Sequence, residues 1–150
     1  MFLIDTNVLI HAANPSGPEH SECRRLLESA RRSLAPWHTT WAILYEFLRV
    51  ITHPRIFPKP WRAPDAWRFV SALLASRGLQ VLVETPRHGE VADQVLKELP
   101  ALHGTILHDA HTAILMREHG IRRIYTRDTD FHRFRFLEVV DPLARGDHSP

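Results

Sequence analysis

No stretch of this 150-residue sequence approaches the roughly 18 uninterrupted apolar residues that a membrane-spanning helix needs. The N-terminus carries no basic leader, and Asp5 interrupts the first apolar run at once, so a secretory signal is not expected. Cys23 is the single cysteine, which excludes an internal disulfide framework and fits a reducing cytoplasm. Glycine is sparse, with six in all, and none falls in a G-x-x-x-x-G-K-[ST] or G-x-G-x-x-G pattern, so neither phosphate-cradling fingerprint is present. No G-x-S-x-G occurs to place a serine nucleophile on a strand-to-helix elbow. Among eleven histidines the nearest pair, His108 and His111, lacks both a cysteine and an H-E-x-x-H context, which argues against zinc. Neither charge sign dominates: 19 Lys and Arg face 17 Asp and Glu, for a net charge of +2.

What is present reads as one globular domain over residues 1–142, followed by a flexible tail over 143–150. A hydrophobic content of 44% beside 24% charged residues is ordinary for such a domain. A chain of this length buries roughly 68–70% of its unfolded surface. Arginines concentrate locally at Arg24 and Arg25, Arg31 and Arg32, Arg122 and Arg123, and in the trio Arg127, Arg133 and Arg135. Arginine forks suit phosphate, so a phosphate-bearing partner is permitted, although solvated helix faces account for most of the pairs. The trio alone stands beside other residues of chemical interest.

The chain alternates between apolar runs and helical patterns. Phe2-Leu3-Ile4 reads as a short strand covered on both faces, ending in Asp5. A short helix from about residue 8 to 13 stops at Asn14-Pro15-Ser16-Gly17-Pro18, and a second helix spans 19–32. Residues 33–36 suggest a second strand, with Thr39 or Thr40 capping a helix over 40–52. That helix is apolar nearly all round, which predicts a buried helix with Glu46 in its middle. A proline-rich connection over 53–61 mixes His53, Arg55 and Lys59 with Phe57 and Trp61. It suits either a nucleic-acid groove or a rigid loop. Further helices are expected over 63–76, 88–99 and 106–119, and further strands over 79–84, within 121–126 and over 136–140. Strands alternating with helices predict a central, mostly parallel sheet of about five strands flanked by helices.

Four acids share one description on this plan. Asp5 ends the first strand, Asp128 ends the fourth, Asp109 opens a helix feeding the sheet, and Glu46 lies in the helix after the second strand. Strand ends and the starts of the following helices face one edge of a parallel sheet, so all four carboxylates can meet there, with Asp130 a fifth candidate. Two unit charges about 4 Å apart repel by roughly 4 kcal/mol at an effective dielectric of about 20. Four carboxylates make six such pairs, so a shared pocket needs protons or cations. Mg2+ or Mn2+ suits an all-oxygen site of this kind. For Asp5 the competing reading is a helix cap, and for Glu46 a salt bridge to Arg49 at i+3.

Asp5-Thr6-Asn7-Val8-Leu9, Glu46 in its helix, His108-Asp109-Ala110-His111 and Thr126-Arg127-Asp128-Thr129-Asp130-Phe131 together resemble the PIN domain, and most closely the VapC-type toxin ribonucleases of toxin–antitoxin pairs. The stretch from Glu46 to Arg55 resembles one subgroup of those toxins, and the likeness runs from Phe2 to Pro142. It implies a PIN-like three-layer sandwich and metal-dependent cleavage of RNA. Asp5 and Asp109 would bind Mg2+, Glu46 and Asp128 would complete the acidic set, Asp130 would assist, and Asn7 and Thr126 would orient the carboxylates. It also implies a cytoplasmic homodimer and a VapB-type antitoxin whose tail occupies the acidic groove. No acidic position of the pattern is missing.

Two other classes compete. An α/β phosphatase or phosphotransferase with an aspartyl nucleophile wants a second Asp two positions on, where this chain has Asn7. An RNA-binding module that does not cut would have to hold phosphate against four acids, which repel it unless a cation intervenes.

Overall fold

The structure, a computed structural model, describes residues 1–144. Its strands are β1 (Phe2–Ile4), β2 (Trp37–Thr40), β3 (Leu79–Leu82), β4 (Arg123–Tyr125) and β5 (Glu138–Val140). They form one sheet in the order β3-β2-β1-β4-β5, with every neighbouring pair parallel. The helices are α1 (Thr6–Ala13), α2 (His20–Arg32), α3 (Trp41–Ile51), α4 (Ala63–Leu74), α5 (His88–Glu98) and α6 (Ile106–Glu118), and a 3-10 turn spans Thr129–Arg133. The architecture is a three-layer α/β sandwich. Helix α1 packs on α2 and α3, α3 on α4, and α5 on α6. None of the described helices is long and apolar enough to cross a membrane.

The sheet order places the site. From β1 the chain moves outward through β2 to β3, then returns to the other side of β1 as β4. The order therefore reverses between β1 and β4, and in open α/β sheets the crevice beyond such a reversal is where ligands bind. The seam is closed by backbone pairing, Asp5 N donating to Tyr125 O at 3.1 Å, and on the far side of β4 Thr126 N donates to Val140 O of β5 at 3.1 Å. Behind it Leu3, Ile4, Val8 and Leu9 are fully buried, which holds β1 and the start of α1 rigidly. Burying each such side chain contributes about 1.5–3 kcal/mol.

The structure differs from the sequence reading at three places. The second strand is residues 37–40 rather than 33–36. Ser33 Oγ instead accepts from Ala35 N at 2.9 Å, a local turn, and Pro36 has no N–H for a ladder. The strand Trp37–Thr40 is buried throughout, and its histidine finds partners there: the ring of His38 meets Phe2 O at 3.1 Å and Gln80 Oε1 at 3.3 Å. Thr40 closes that strand and caps α3, its hydroxyl accepting from Ile43 N at 3.1 Å.

Helix α3 is not buried all round. Ile43, Leu44, Phe47 and Ile51 face the core, while Trp41, Ala42, Tyr45, Glu46 and Arg49 form an exposed stripe. Two exposed aromatics made an amphipathic helix look uniformly apolar. The last strand begins at Glu138 rather than 136, because Leu137 N donates back to Phe134 O at 2.8 Å in a turn. The tail expected over 143–150 lies outside the described residues from 145 onward.

Candidate metal centre

Asp5 leaves β1 in an extended conformation and becomes the N-cap of α1, its Oδ1 accepting from Thr6 N at 2.7 Å. The cap and the site are thus one residue. Its other oxygen, Oδ2, accepts from Asn7 Nδ2 at 2.7 Å and from the Thr126 hydroxyl at 2.7 Å. That hydroxyl in turn accepts from Asn7 Nδ2 and from Asp128 N, each at 2.9 Å, so its one donor and two acceptor positions are all used. Asn7 Oδ1 accepts from Arg127 N at 3.0 Å, which fixes the amide with its NH2 toward Asp5. Asn7 and Thr126 therefore bind the end of β1 to the end of β4.

Beyond Thr126, Asp128 caps the 3-10 turn, its Oδ1 accepting from Asp130 N at 2.9 Å. The turn carries Asp130 back beside Asp128, while α6 brings Asp109 in from its first turn. One oxygen each from Asp109, Asp128 and Asp130 lies within 4.8 Å of the others. Asp109 has no hydrogen-bond donor among the described residues. Burial, and then the charges of Asp128, Asp5 and Asp130, push its pKa up to about 7. Asp5 is also raised, by burial first, against the pull of Thr126, Thr6 and Asn7 and with a smaller push from Asp128.

The residues fit a hard divalent cation. The donors are all carboxylate oxygens, the half-buried Asp109 lacks any other partner among the described residues, and like charges crowd one another.

Glu46 lies outside this three-acid group. On the exposed stripe of α3 its two oxygens accept from Arg49 Nε and Nη2, each at 2.7 Å, in a fork. The Arg49 hydrogen bonds hold its pKa below the ordinary carboxylate value, with further help from the charges of Arg49 and His108 and against partial burial. His108, whose charge acts on Glu46, stands on α6 next to Asp109 in sequence. Asp130 accepts from Arg133 Nε at 3.2 Å.

The proline-rich connection is mainly structural on its aromatic side. Phe57 is buried, and Trp61 packs edge-on against Phe47 and Phe69 at 6.4 and 5.8 Å, while Arg55 and Lys59 remain exposed. Sequence reading missed the partners of Arg127. Its guanidinium donates to Glu19 at 2.9 Å and stands 3.6 Å from Asp141. Only the clustering of arginines near residue 130 hinted at it, because Glu19 is 108 positions away.

The family model for the PIN domain matches residues 2–137. The VapC ribonuclease Mb2897 of Mycobacterium bovis is 33% identical over 148 residues, covering 99% of both chains. Ribonuclease VapC48 of Mycobacterium tuberculosis is 28% identical, covering 93% of this chain and 96% of its own. In fold, the chain is similar to Mycobacterium tuberculosis VapC20, described as a sarcin-ricin loop cleaving toxin, at a TM-score of 0.66 and 22% identity over 93% of this chain and 98% of that one.

Proposed function

The chain belongs to the PIN domain family, and from that premise we propose that it is a VapC-type toxin, a Mg2+- or Mn2+-dependent endoribonuclease that hydrolyses RNA phosphodiester bonds. The observation that carries this reading is the meeting of Asp109, Asp128 and Asp130 beside Asp5, at the sheet edge where strand order reverses. A bound divalent cation supplies positive charge for a phosphoryl group and lowers the pKa of a water that attacks it.

The chain's own residues do the rest. Asp109, Asp128 and Asp130 hold the cation, and Asp5 adds its charge from behind, oriented by Thr6, Asn7 and Thr126. Glu46, on α3, is assigned to complete the acidic set, and Arg49, forked onto it, offers a guanidinium of the kind that suits phosphate. In cation-free protein Asp109 holds a proton near neutral pH, which relieves part of the crowding.

The geometry of Asn7 weighs against an aspartyl phosphotransferase. Its Nδ2 must donate to Asp5 at 2.7 Å, and a carboxylate there would set two acceptor oxygens against each other. The same cluster of acids weighs against RNA binding without cleavage. A cytoplasmic location, a homodimer and a VapB-type antitoxin seated in the acidic crevice belong to the same proposal, and the relatives named VapC support its toxin assignment.

The test is cleavage of a mixed RNA substrate with and without Mg2+ or Mn2+. Activity should require the cation and disappear in Asp5→Asn and Asp109→Asn. If both variants cut like the parent, the assignment is wrong. Efficient turnover of a chromogenic phosphomonoester with intact RNA would favour the phosphatase instead.

A further inference from the structure

Arg127 lies between two residues of the centre, Thr126 and Asp128, yet its side chain turns away from the acids. Its Nη1 donates to Glu19 Oε1 at 2.9 Å, and its Nε stands 3.6 Å from Asp141 Oδ1. Glu19 is the residue before α2, and Asp141 follows β5, so one guanidinium joins the α1–α2 connection, the end of β4 and the end of β5. His11 of α1 also stands near Glu19, its Nδ1 3.5 Å from Glu19 Oε2. On the backbone side, Arg127 N donates to Asn7 Oδ1 at 3.0 Å, which sets the amide that orients Asp5.

Charge and position separate here. An arginine present to neutralise the acidic centre would pair with Asp128 or Asp130, as Arg133 does with Asp130. The charge of Arg127 is instead matched by Glu19 and Asp141, so its contribution is where it holds the chain. The segment it holds carries Asp128 and Asp130 on a single 3-10 turn, and such a turn has little stiffness of its own.

We propose that Arg127 is a positioning residue for the acidic centre: clamped by Glu19 and Asp141, it sets the spacing of Asp128 and Asp130 against Asp109 and thereby the affinity for the divalent cation. The proposal rests on the metal-dependent reading of the same site.

The experiment is Mn2+ binding to the full-length protein, followed by the EPR signal of free Mn2+, with thermal unfolding of each cation-free variant alongside. Removing an outer-shell partner of a metal ligand typically weakens metal affinity about 10–100-fold. Arg127→Ala should fall in the lower part of that range, and Glu19→Gln should weaken binding in the same direction. The double variant should be no weaker than Arg127→Ala alone, because both remove one clamp. Arg87→Ala, which removes an exposed pair with Glu90 at the start of α5, should bind like the parent. In RNA cleavage the apparent Mn2+ constant should rise in Arg127→Ala while kcat at saturating Mn2+ stays near the parent value, a split that general destabilisation does not produce.

The proposal is overturned if Arg127→Ala binds Mn2+ within about twofold of the parent, or if the two single losses multiply in the double variant. Should Arg127→Ala fail to fold, Glu19→Gln decides alone, and parental Mn2+ affinity there overturns the clamp. A parent protein that binds no Mn2+ overturns the metal-dependent reading itself.

Discussion

Asp109 is a carboxyl that folding makes harder to ionise. Its folded pKa of about 7 stands well above the unfolded value near 3.9, so between those limits the folded state binds more protons than the unfolded chain. Stability without cation must therefore fall as pH rises from about 4 to 7, and Asp5, raised in the same direction, adds to the slope. Asp109→Asn removes one of these two contributions. In urea titrations with chelator, the variant should match the parent near pH 4 and exceed it at pH 8; a gap that does not change with pH would contradict this account. Cation binding should strengthen over the same interval, since metal and proton compete for one oxygen. Glu46 behaves oppositely. Its ion pair with Arg49 is largely exposed, and such pairs contribute about 0–1 kcal/mol, so Glu46→Gln should fold with nearly parental stability while RNA cleavage falls. A Glu46→Gln protein that cuts RNA normally would remove Glu46 from the acidic set.

At the scale of elements, the connections matter more than the strands, which are only three or four residues long. Thr40 serves both β2 and α3, and deleting an N-cap hydroxyl costs about 1 kcal/mol. Thr40→Ala should lose that much in urea unfolding, and Thr40→Ser should recover most of it. Gly78, just before β3, is a close-approach glycine. A Cβ there would sit 2.6 Å from Ala35 O and 3.0 Å from Ser33 O, both backbone atoms. Gly78→Ala must displace the segment leading into β2 and should cost about 1–3 kcal/mol, the usual range for overpacking. An unchanged unfolding midpoint would mean that segment yields freely. The same segment explains why residues 33–36 mimic a strand in sequence: they are short, weakly polar and extended, but their backbone turns on Ser33 and packs over Gly78 instead of entering the ladder.

Over the whole molecule, the acidic crevice stores repulsion that a bound cation releases. At one hundred times its dissociation constant a ligand stabilises by about 2.7 kcal/mol. For a chain of this size that corresponds to a rise in Tm of roughly 5–10 °C. Mg2+ or Mn2+ should raise the parent's Tm by this order at pH 8, and Asp109→Asn should lose most of the rise. Equal shifts in both proteins would place the cation elsewhere.

The fold class, the places of Asp5 and Asp128 at strand ends and that of Asp109 at a helix start were legible in the sequence, because strand-then-acid patterns and helix starts are local. Hydrophobic runs determined the parallel α/β plan, and residue types determined that any ligand of the centre must be cationic. Tertiary structure alone decided that Asp109 joins Asp128 and Asp130 while Glu46 stands apart on Arg49, because a helix face is chosen by packing rather than by composition. It alone joined Asn7 to Thr126 and Arg127 to Glu19, 119 and 108 positions apart. No periodicity records such pairs, since they arise where the sheet order reverses and brings the ends of β1 and β4 together. Asp5, the first acid of the chain, owes its meaning to both: its place at the end of a strand is written in the sequence, and its three donors are supplied by the fold.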